Sequence, residues 1–165
     1  SRLVGSEMCI RDRYLPANPG DIITSKGRTI GKHDGLMYYT IGQRKGLDIG
    51  GGYGALNSPW YVIEKDLKNN QLIVGQGHEN SALYHKNLKA SELHWISGNP
   101  PENERCSAKV RYRADDVPCI INEMSDTNIS IEFERACFGI APGQSVVFYD
   151  GEICLGGAII DSYSN

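Results

Sequence analysis

A short polar segment between two glycines is the first place where side chains could do chemistry. Residues 42–46 read Gly-Gln-Arg-Lys-Gly, so Gln43, Arg44 and Lys45 offer donors beside backbone N–H groups. Side-chain cations and amides in a glycine-bracketed loop are suited to binding a phosphate group. A solvated hairpin tip would have the same composition, and the residues alone do not separate these two interpretations.

A stripe of three cations is the second candidate. Lys109, Arg111 and Arg113 alternate with apolar residues across the segment 106–113. The period of two predicts a strand whose cations project from one face about 6–7 Å apart, which is close to the phosphate spacing of a nucleic-acid strand. The wet face of an ordinary half-buried sheet gives the same pattern, and two aspartates directly downstream weaken the patch.

The third candidate is Gln144, which follows the turn-forming pair Pro142-Gly143. At the exit of a turn its side chain could hydrogen-bond a base or a backbone group, or it could be an ordinary loop residue. No phosphate-binding loop, dinucleotide fingerprint, metalloprotease motif or nucleophile elbow occurs in the sequence. The histidines and cysteines lack zinc-ligand spacing, so we expect neither a metal site nor a catalytic residue in this chain.

Length and composition restrict the class of protein. The chain has 165 residues, 17 basic and 20 acidic, and a hydrophobic fraction of 40%, which is typical of folded globular domains. The acidic balance excludes a uniformly basic nucleic-acid binder but allows a local basic patch. No apolar stretch approaches the length of a membrane span. The five cysteines are odd in number and widely spaced, which favours small buried hydrophobes in a reducing cytosol over a disulfide framework.

The first thirteen residues, SRLVGSEMCIRDR, stand apart from the rest. They lack the apolar core of a signal peptide, they follow no helical or strand period, and they resemble translated sequencing-adapter read-through. We therefore interpret residues 1–13 as a non-native segment and leave Cys9 out of the functional argument. The remaining residues, 14–165, carry a net charge of −4.

The elements that would position the three candidates are mostly short strands, so the fold class predicted is all-β. A hairpin is predicted over 60–66 and 71–75, with Asn69 and Asn70 at its turn, and residues 36–41 are expected to form a further strand. Residues 79–95 fit neither period. The linker-like segment 98–101 places a boundary near 90–102, between a small central β domain (14–90) and a C-terminal antiparallel barrel (91–165).

Read together, these segments resemble the C-terminal portion of the bacterial tRNA-specific 2-thiouridylase (MnmA) family. The resemblance rests on six sequence words in the family's order: R-Y-L-P-A-N-P-G at 13–20, G-L-M-Y-Y-T-I-G-Q-R-K-G-L at 35–47, P-W-Y-V at 59–62, R-Y-R at 111–113, A-P-G-Q-S at 141–145, and V-F-Y-D-G-E-I-C-L-G-G at 147–157. The second and last words are highly specific.

The resemblance implies a central β domain and a C-terminal barrel similar to those of translation factors. It also implies a role in making 2-thiouridine at the wobble position of tRNA (U34). In the family an N-terminal domain uses ATP with magnesium to adenylate the uridine, and a cysteine persulfide charged by a sulfur-relay protein then supplies sulfur. The family's S-G-G-x-D-S loop and both catalytic cysteines are absent here. The fragment is therefore expected to be inactive alone, cytoplasmic, and without a cofactor of its own.

Carried over by position, the family's contacts to the tRNA anticodon arm match Arg111, Tyr112 and Gln144. Additional contacts are predicted from their chemistry at Gln43, Arg44, Lys45, Lys109 and Arg113. Arg111 and Tyr112 are neighbours and would face opposite sides of a strand, so both can touch RNA only near a strand end, a bulge or the barrel rim. The alternative is a structural barrel that docks on the catalytic domain and has little RNA affinity. An unrelated translation-factor-like barrel is disfavoured by the segment 39–47.

Overall fold

The computed structural model describes residues 17–49, 58–102, 105–112 and 114–165. These residues form two compact units, the first comprising the described residues up to Gly77 and the second spanning His78–Asn165. The segment 1–13 and Arg113 lie outside the described residues. Among the residues described, no helix is long and apolar enough to cross a membrane.

The first unit is built on a four-stranded mixed sheet with the order β2-β1-β4-β3. The strands are β1 (Gly20–Thr24), β2 (Thr29–His33), β3 (Trp60–Asp66) and β4 (Gln71–Gln76). β1 pairs with β4 in parallel, and the other two pairs are antiparallel. The hairpin predicted over 60–75 is confirmed as β3 and β4, and Asn70 in its turn adopts the left-handed conformation (φ 54°).

The strand predicted over residues 36–41 is wrong. Leu36–Tyr38 is a short 3₁₀ turn, and the chain then continues without entering the sheet. Leu36 and Tyr39 are both buried against the sheet core (8% exposed each), whereas Met37 is 39% exposed. A 3₁₀ turn places residues i and i+3 on the same side. The apolar residues of this segment are therefore buried on one side of a single turn. Their composition alone does not distinguish such a turn from a strand.

The second unit is a closed six-stranded barrel in which every neighbouring pair is antiparallel. A short 3₁₀ turn (Ser81–Leu83) precedes the first strand. The strand order is β10-β5-β8-β7-β6-β9, formed by β5 (Tyr84–Trp95), β6 (Arg105–Lys109), β7 (Val117–Met124), β8 (Ile129–Phe138), β9 (Ser145–Asp150) and β10 (Ile153–Ser164). The predicted all-β class with a C-terminal antiparallel barrel is thus confirmed.

Alternation of buried and exposed side chains explains why these segments are strands. Along β7 the residues Val117, Cys119 and Ile121 point into the barrel, and the residues between them face outward. Phe133 of β8 and Phe148 of β9 fill the interior and are almost completely buried. Burial of apolar side chains from all six strands, of which β6 contributes Ala108, is the main favourable term that holds the barrel closed.

The ambiguous segment 79–95 becomes the turn Ser81–Leu83 followed by the twelve-residue strand β5. Glu92 has a positive φ of 53°, and the register against β10 shifts in this region. The resulting bulge interrupts the period of two, which is why the sequence fits neither pattern. β5 also runs through residue 90, so the sequence divides into the two units between Gly77 and His78 rather than near 90–102. The linker-like segment 98–101 belongs to the connection between β5 and β6.

Candidate nucleic-acid interface

One end of the barrel carries Arg111, Tyr112 and Gln144, three of the residues for which RNA contact is predicted. Because neighbouring strands are antiparallel, β5, β7 and β9 begin at this end and β6, β8 and β10 finish there. We call this end the Arg111 rim. The β6–β7 connection (110–116) carries Arg111 and Tyr112, and the β8–β9 connection (139–144) carries Gln144. The fold therefore places Gln144 at the same end of the barrel as Arg111 and Tyr112, although it is at least 32 residues away from them in the sequence.

Arg111 is half-buried on the rim and packs on an aromatic ring. Its Cζ atom lies 5.5 Å from the ring centroid of Phe138, which is within the range of a cation–π contact. A Cβ atom built on the neighbouring Gly139 would come within 3.1 Å of that same Cζ atom, so the guanidinium fills the space that a side chain there would need. Burial lowers the pKa of Arg111 from its ordinary value, although a guanidinium stays protonated in proteins. The cation is thus held in one place at the rim.

Tyr112 is 93% exposed, the largest exposed fraction among the large hydrophobic side chains of the described residues. The alternating pattern of residues 106–113 predicts that Ala108, Val110 and Tyr112 lie on one face. Ala108 and Val110 are buried, but the prediction is wrong for Tyr112. β6 ends at Lys109, and the chain bends through 110–112, so the alternation no longer applies to Tyr112. Arg111 and Tyr112 therefore both lie beyond the strand end, where neighbouring residues can reach one ligand.

The predicted three-cation stripe is not a strand face in the structure. Lys109 closes β6, and its Nζ atom lies 5.8 Å from the ring centroid of Tyr149 on β9. Arg111 is turned onto Phe138 beyond the strand end, and Arg113 lies outside the described residues. The predicted even spacing of three cations along one strand is therefore wrong, because β6 ends at Lys109 and the alternating sequence continues beyond it.

Gln144 sits in an exposed turn whose backbone is fixed to the barrel. Its N–H donates to the carbonyl of Ala141 (3.2 Å), and its own carbonyl accepts from the N–H of Ile160 on β10 (2.8 Å). The N–H of Gly143 also donates to the Ile160 carbonyl (2.8 Å). These bonds hold the turn against β10 and leave the Gln144 side chain exposed to solvent.

Three aromatic residues of the Arg111 rim were not singled out from the sequence. The ring of His78 stacks on Phe138 with centroids 4.4 Å apart, and its Nδ1 atom hydrogen-bonds the Tyr84 hydroxyl at 2.9 Å. Tyr84 also packs edge-on against Phe138. Tyr84 and Phe138 are cross-strand partners in the β5–β8 ladder. No local pattern connects residue 138 with residues 78 and 84, and the pairing of β5 with β8 makes them neighbours.

In the first unit, the segment 42–46 is an ordered loop in which Gln43 is used internally. The Gln43 Oε1 atom accepts from the N–H of Thr40 (3.0 Å), and its Nε2 atom donates to the carbonyl of Lys45 (2.9 Å). Backbone hydrogen bonds join Gly42 and Gln43 to Val62 on β3. Arg44 and Lys45 are exposed on this loop. Gln43 therefore shapes the loop, and the two cations next to it are the side chains presented to solvent.

The cysteines differ from one another in the structure. Cys119 and Cys137 are buried and Cys106 is half-buried, in line with the prediction, but Cys154 is exposed beside the β9–β10 turn. The tight turn at Gly151 puts Ile153 and Cys154 on the surface despite their apolar neighbours. Within the described ranges, no group of three or more His, Cys, Asp and Glu residues could hold a metal ion.

Comparison with known families matches each unit separately. Residues 11–76 match the family described as the tRNA methyl transferase PRC-barrel domain. Residues 85–160 match the family described as the aminomethyltransferase beta-barrel domain. The first match ends and the second begins on opposite sides of the division at Gly77/His78, so each match falls within one unit.

Individual relatives are similar over nearly the whole chain. The tRNA-specific 2-thiouridylase MnmA of Pasteurella multocida is 54% identical over 151 residues, and that of Mannheimia succiniciproducens is 55% identical over 151 residues. Each alignment covers 91% of this chain and 39% of the relative. The protein of the same name from Haemophilus influenzae is 53% identical over 149 residues, which is 90% of this chain. The chain thus spans about two fifths of the length of these curated relatives, and with both units matched it belongs to the tRNA-specific 2-thiouridylase family, as a C-terminal portion.

Proposed function

We propose that this chain is the tRNA-binding C-terminal part of a tRNA 2-thiouridylase and that the Arg111 rim contacts the anticodon arm. The observation that carries the proposal is the pair Arg111 and Tyr112 at one strand end, a positioned cation next to a fully presented aromatic ring. Proteins recognise single-stranded RNA loops by stacking bases on aromatic rings and by binding phosphates with arginine.

Tyr112 supports the stacking half of this proposal. An exposed tyrosine offers both faces of its ring to a base, and base–aromatic stacking contributes about 1–3 kcal/mol per base. A tyrosine left this exposed buries little apolar surface in the protein itself, so it adds little to folding. Its exposure is better explained by an external partner.

Arg111 supports the phosphate half. Phe138 and Gly139 restrict the guanidinium to the rim, so less side-chain entropy is lost when a phosphate binds. Gln144 directly precedes β9, the strand that pairs with β6 as far as Lys109. Its exposed amide can hydrogen-bond a base edge or a sugar near the same rim.

The chemistry of the complete enzyme is part of the proposal and lies outside this chain. ATP with magnesium would activate the C2 oxygen of the wobble uridine by adenylation, and a cysteine persulfide would attack C2 while AMP leaves. A sulfur-relay protein would recharge the persulfide. We infer that this chain binds and orients the anticodon arm and that it has no catalytic activity alone. That Arg44 and Lys45 also contact the tRNA remains a prediction.

The alternative function is a structural barrel that docks on the catalytic domain and binds RNA weakly or not at all. The net charge of −4 over residues 14–165 favours it, because a negatively charged chain gains little from long-range attraction to phosphates. Exposed acidic residues also lie in the β6–β7 connection, at Asp115 and Asp116.

A titration distinguishes the two functions. The 165-residue chain is titrated with a fluorescently labelled anticodon stem-loop at low and at physiological salt, with an acceptor-stem hairpin as the matched control. Tighter binding of the anticodon stem-loop, weakening as salt rises, is the expected result. Equal affinity for both hairpins would contradict the proposal. No detectable binding of either, together with tight association to a separately expressed catalytic domain, would select the structural alternative.

A further inference from the structure

Two cysteines of the barrel face each other across neighbouring strands. Cys106 on β6 and Cys119 on β7 are direct partners in the antiparallel ladder, and their Sγ atoms lie 3.6 Å apart. Directly opposed residues of an antiparallel pair project to the same face of the sheet. Cys119 belongs to the barrel core and Cys106 packs at its edge, half-buried, with both thiols free.

The backbone at this pair already meets the requirement for a disulfide. Opposed Cα atoms in an antiparallel ladder are about 4.5–5.5 Å apart, within the range of about 4.4–6.8 Å that disulfides span. Only the sulfur atoms have to approach, by about 1.5 Å, to reach bonding distance. Rotation about the Cα–Cβ bonds can supply that movement without separating the strands.

The two thiols are not equivalent. The hydrogen bond with the Cys119 thiol lowers the pKa of Cys106, although burial and the nearby Asp150 carboxylate act in the opposite direction. The same hydrogen bond, together with burial, raises the pKa of Cys119. Cys106 is also the less buried of the pair, so it is the thiol that a small oxidant from solvent can reach.

We propose that Cys106 and Cys119 are a modification site, a dithiol that hydrogen peroxide converts reversibly into a cross-strand disulfide. The Cys106 thiolate attacks one peroxide oxygen, the O–O bond breaks, and the released hydroxide takes up a proton, leaving a sulfenic acid on Cys106. The Cys119 sulfur then attacks the Cys106 sulfur, the S–O bond breaks, and the departing hydroxide takes the Cys119 proton. Two thiols and one peroxide yield one disulfide and two waters, and a thiol reductant reverses the change.

This site stands independently of RNA binding, but it has a consequence for the Arg111 rim. The β6–β7 connection with Arg111 and Tyr112 lies between the two cysteines. A disulfide there would close this segment into a covalent loop and restrict it in the unfolded chain. The oxidised barrel should therefore unfold at a higher temperature than the reduced one, whether or not the rim binds RNA.

Peptide mapping tests the proposal on the 165-residue chain. The reduced protein is treated with hydrogen peroxide, free thiols are alkylated, and a non-reducing tryptic digest is analysed by mass spectrometry. Trypsin cuts after Arg105, Lys109, Arg113 and Arg135, so the expected product joins peptide 106–109 to peptide 114–135. Cys137 and Cys154 share the single peptide 136–165 and do not confuse the assignment. Reductant should separate the joined peptides.

Matched variants complete the test. Cys154→Ser removes an exposed thiol outside the pair and should leave the joined product unchanged, whereas Cys106→Ser should abolish it and leave Cys119 alkylated. Far-UV circular dichroism of each variant verifies that the barrel is folded. The proposal is overturned if peroxide oxidises Cys154 while peptides 106–109 and 114–135 are recovered separately, or if Cys106→Ser leaves the yield of disulfide unchanged.

Discussion

The guanidinium of Arg111 lies over the ring of Phe138, with 5.5 Å between its Cζ atom and the ring centroid. The ring is in turn stacked with His78 and flanked by Tyr84. A side chain with four rotatable bonds is thereby held at the barrel rim by residues from two other strands and the segment before β5. Such preorganisation lowers the entropy cost of binding a ligand.

Replacing Arg111 with alanine should weaken binding of the anticodon stem-loop about tenfold, the usual effect of losing one charge-assisted contact. The slope of log affinity against log salt should become shallower by about one unit, because one phosphate contact is lost. Arg105→Ala is the matched control, since Arg105 is exposed at the opposite end of the same strand. Equal losses in both variants would indicate general electrostatics rather than a contact at the rim.

Gly139→Ala should displace the Arg111 guanidinium. The new Cβ atom would lie 3.1 Å from the Arg111 Cζ atom, and the positive φ of 63° adds backbone strain of about 1 kcal/mol. Gly98→Ala carries the same kind of strain (φ 78°) with nothing within 4 Å, at the other barrel end. Both variants should lose stability in thermal unfolding, but only Gly139→Ala should also lose RNA affinity. Unchanged affinity in Gly139→Ala would mean that the position of Arg111 does not matter for binding.

Gln43→Ala should destabilise the first unit by about 1–2 kcal/mol, because the side chain makes two hydrogen bonds within its loop. Arg44→Ala, at the exposed neighbouring position, should change stability by less than about 0.5 kcal/mol. Urea unfolding followed by tryptophan fluorescence in a Trp95→Phe background, in which Trp60 is the remaining tryptophan, reports on this unit. If Gln43→Ala leaves the unfolding midpoint unchanged but lowers RNA affinity, Gln43 is a ligand contact instead.

His85→Phe should make the barrel less sensitive to acid. Burial lowers the pKa of His85 from its usual 6.5, so the unfolded chain takes up the proton first as the pH falls. The stability due to neutral His85 is complete above pH 6.5 and is lost as the pH falls through the lower folded-state pKa. Phenylalanine keeps the ring contact with Tyr163 and cannot be protonated.

The measurement for His85 is the Tm of the variant minus that of the wild type at a series of pH values. This difference should grow as the pH falls below 6.5. His94→Phe, at an exposed position of the same strand, controls for the replacement of a histidine by phenylalanine as such. A difference that does not change with pH for His85→Phe would show that burial does not hinder protonation of the His85 imidazole in the folded barrel.

Regular alternation of apolar and polar residues made most of the barrel strands predictable. Local irregularities prevented the prediction of the other elements. The predicted hairpin across Asn70 is confirmed because local backbone preferences determine its turn, and the Asp150-Gly151 turn between β9 and β10 has the same local origin. The bulge at Glu92 concealed β5, because one extra residue makes every following side chain of the strand face the opposite side of the sheet. The site was only partly predictable for a different reason. Arg111 meets Phe138 through strand order, and strand order is a long-range property that no spacing within β6 encodes.

The closure of the barrel has a consequence for how the protein is made. β5 is the first barrel strand in the sequence and β10 the last, yet the two are paired along most of their length. During translation β5 therefore has one edge without its final partner until β10 has left the ribosome, about 60 residues later. The barrel cannot complete its fold strand by strand, and β5 must be protected from pairing with other nascent chains over that interval. A pause in synthesis before residue 153 would prolong the most aggregation-prone stage in the life of this domain.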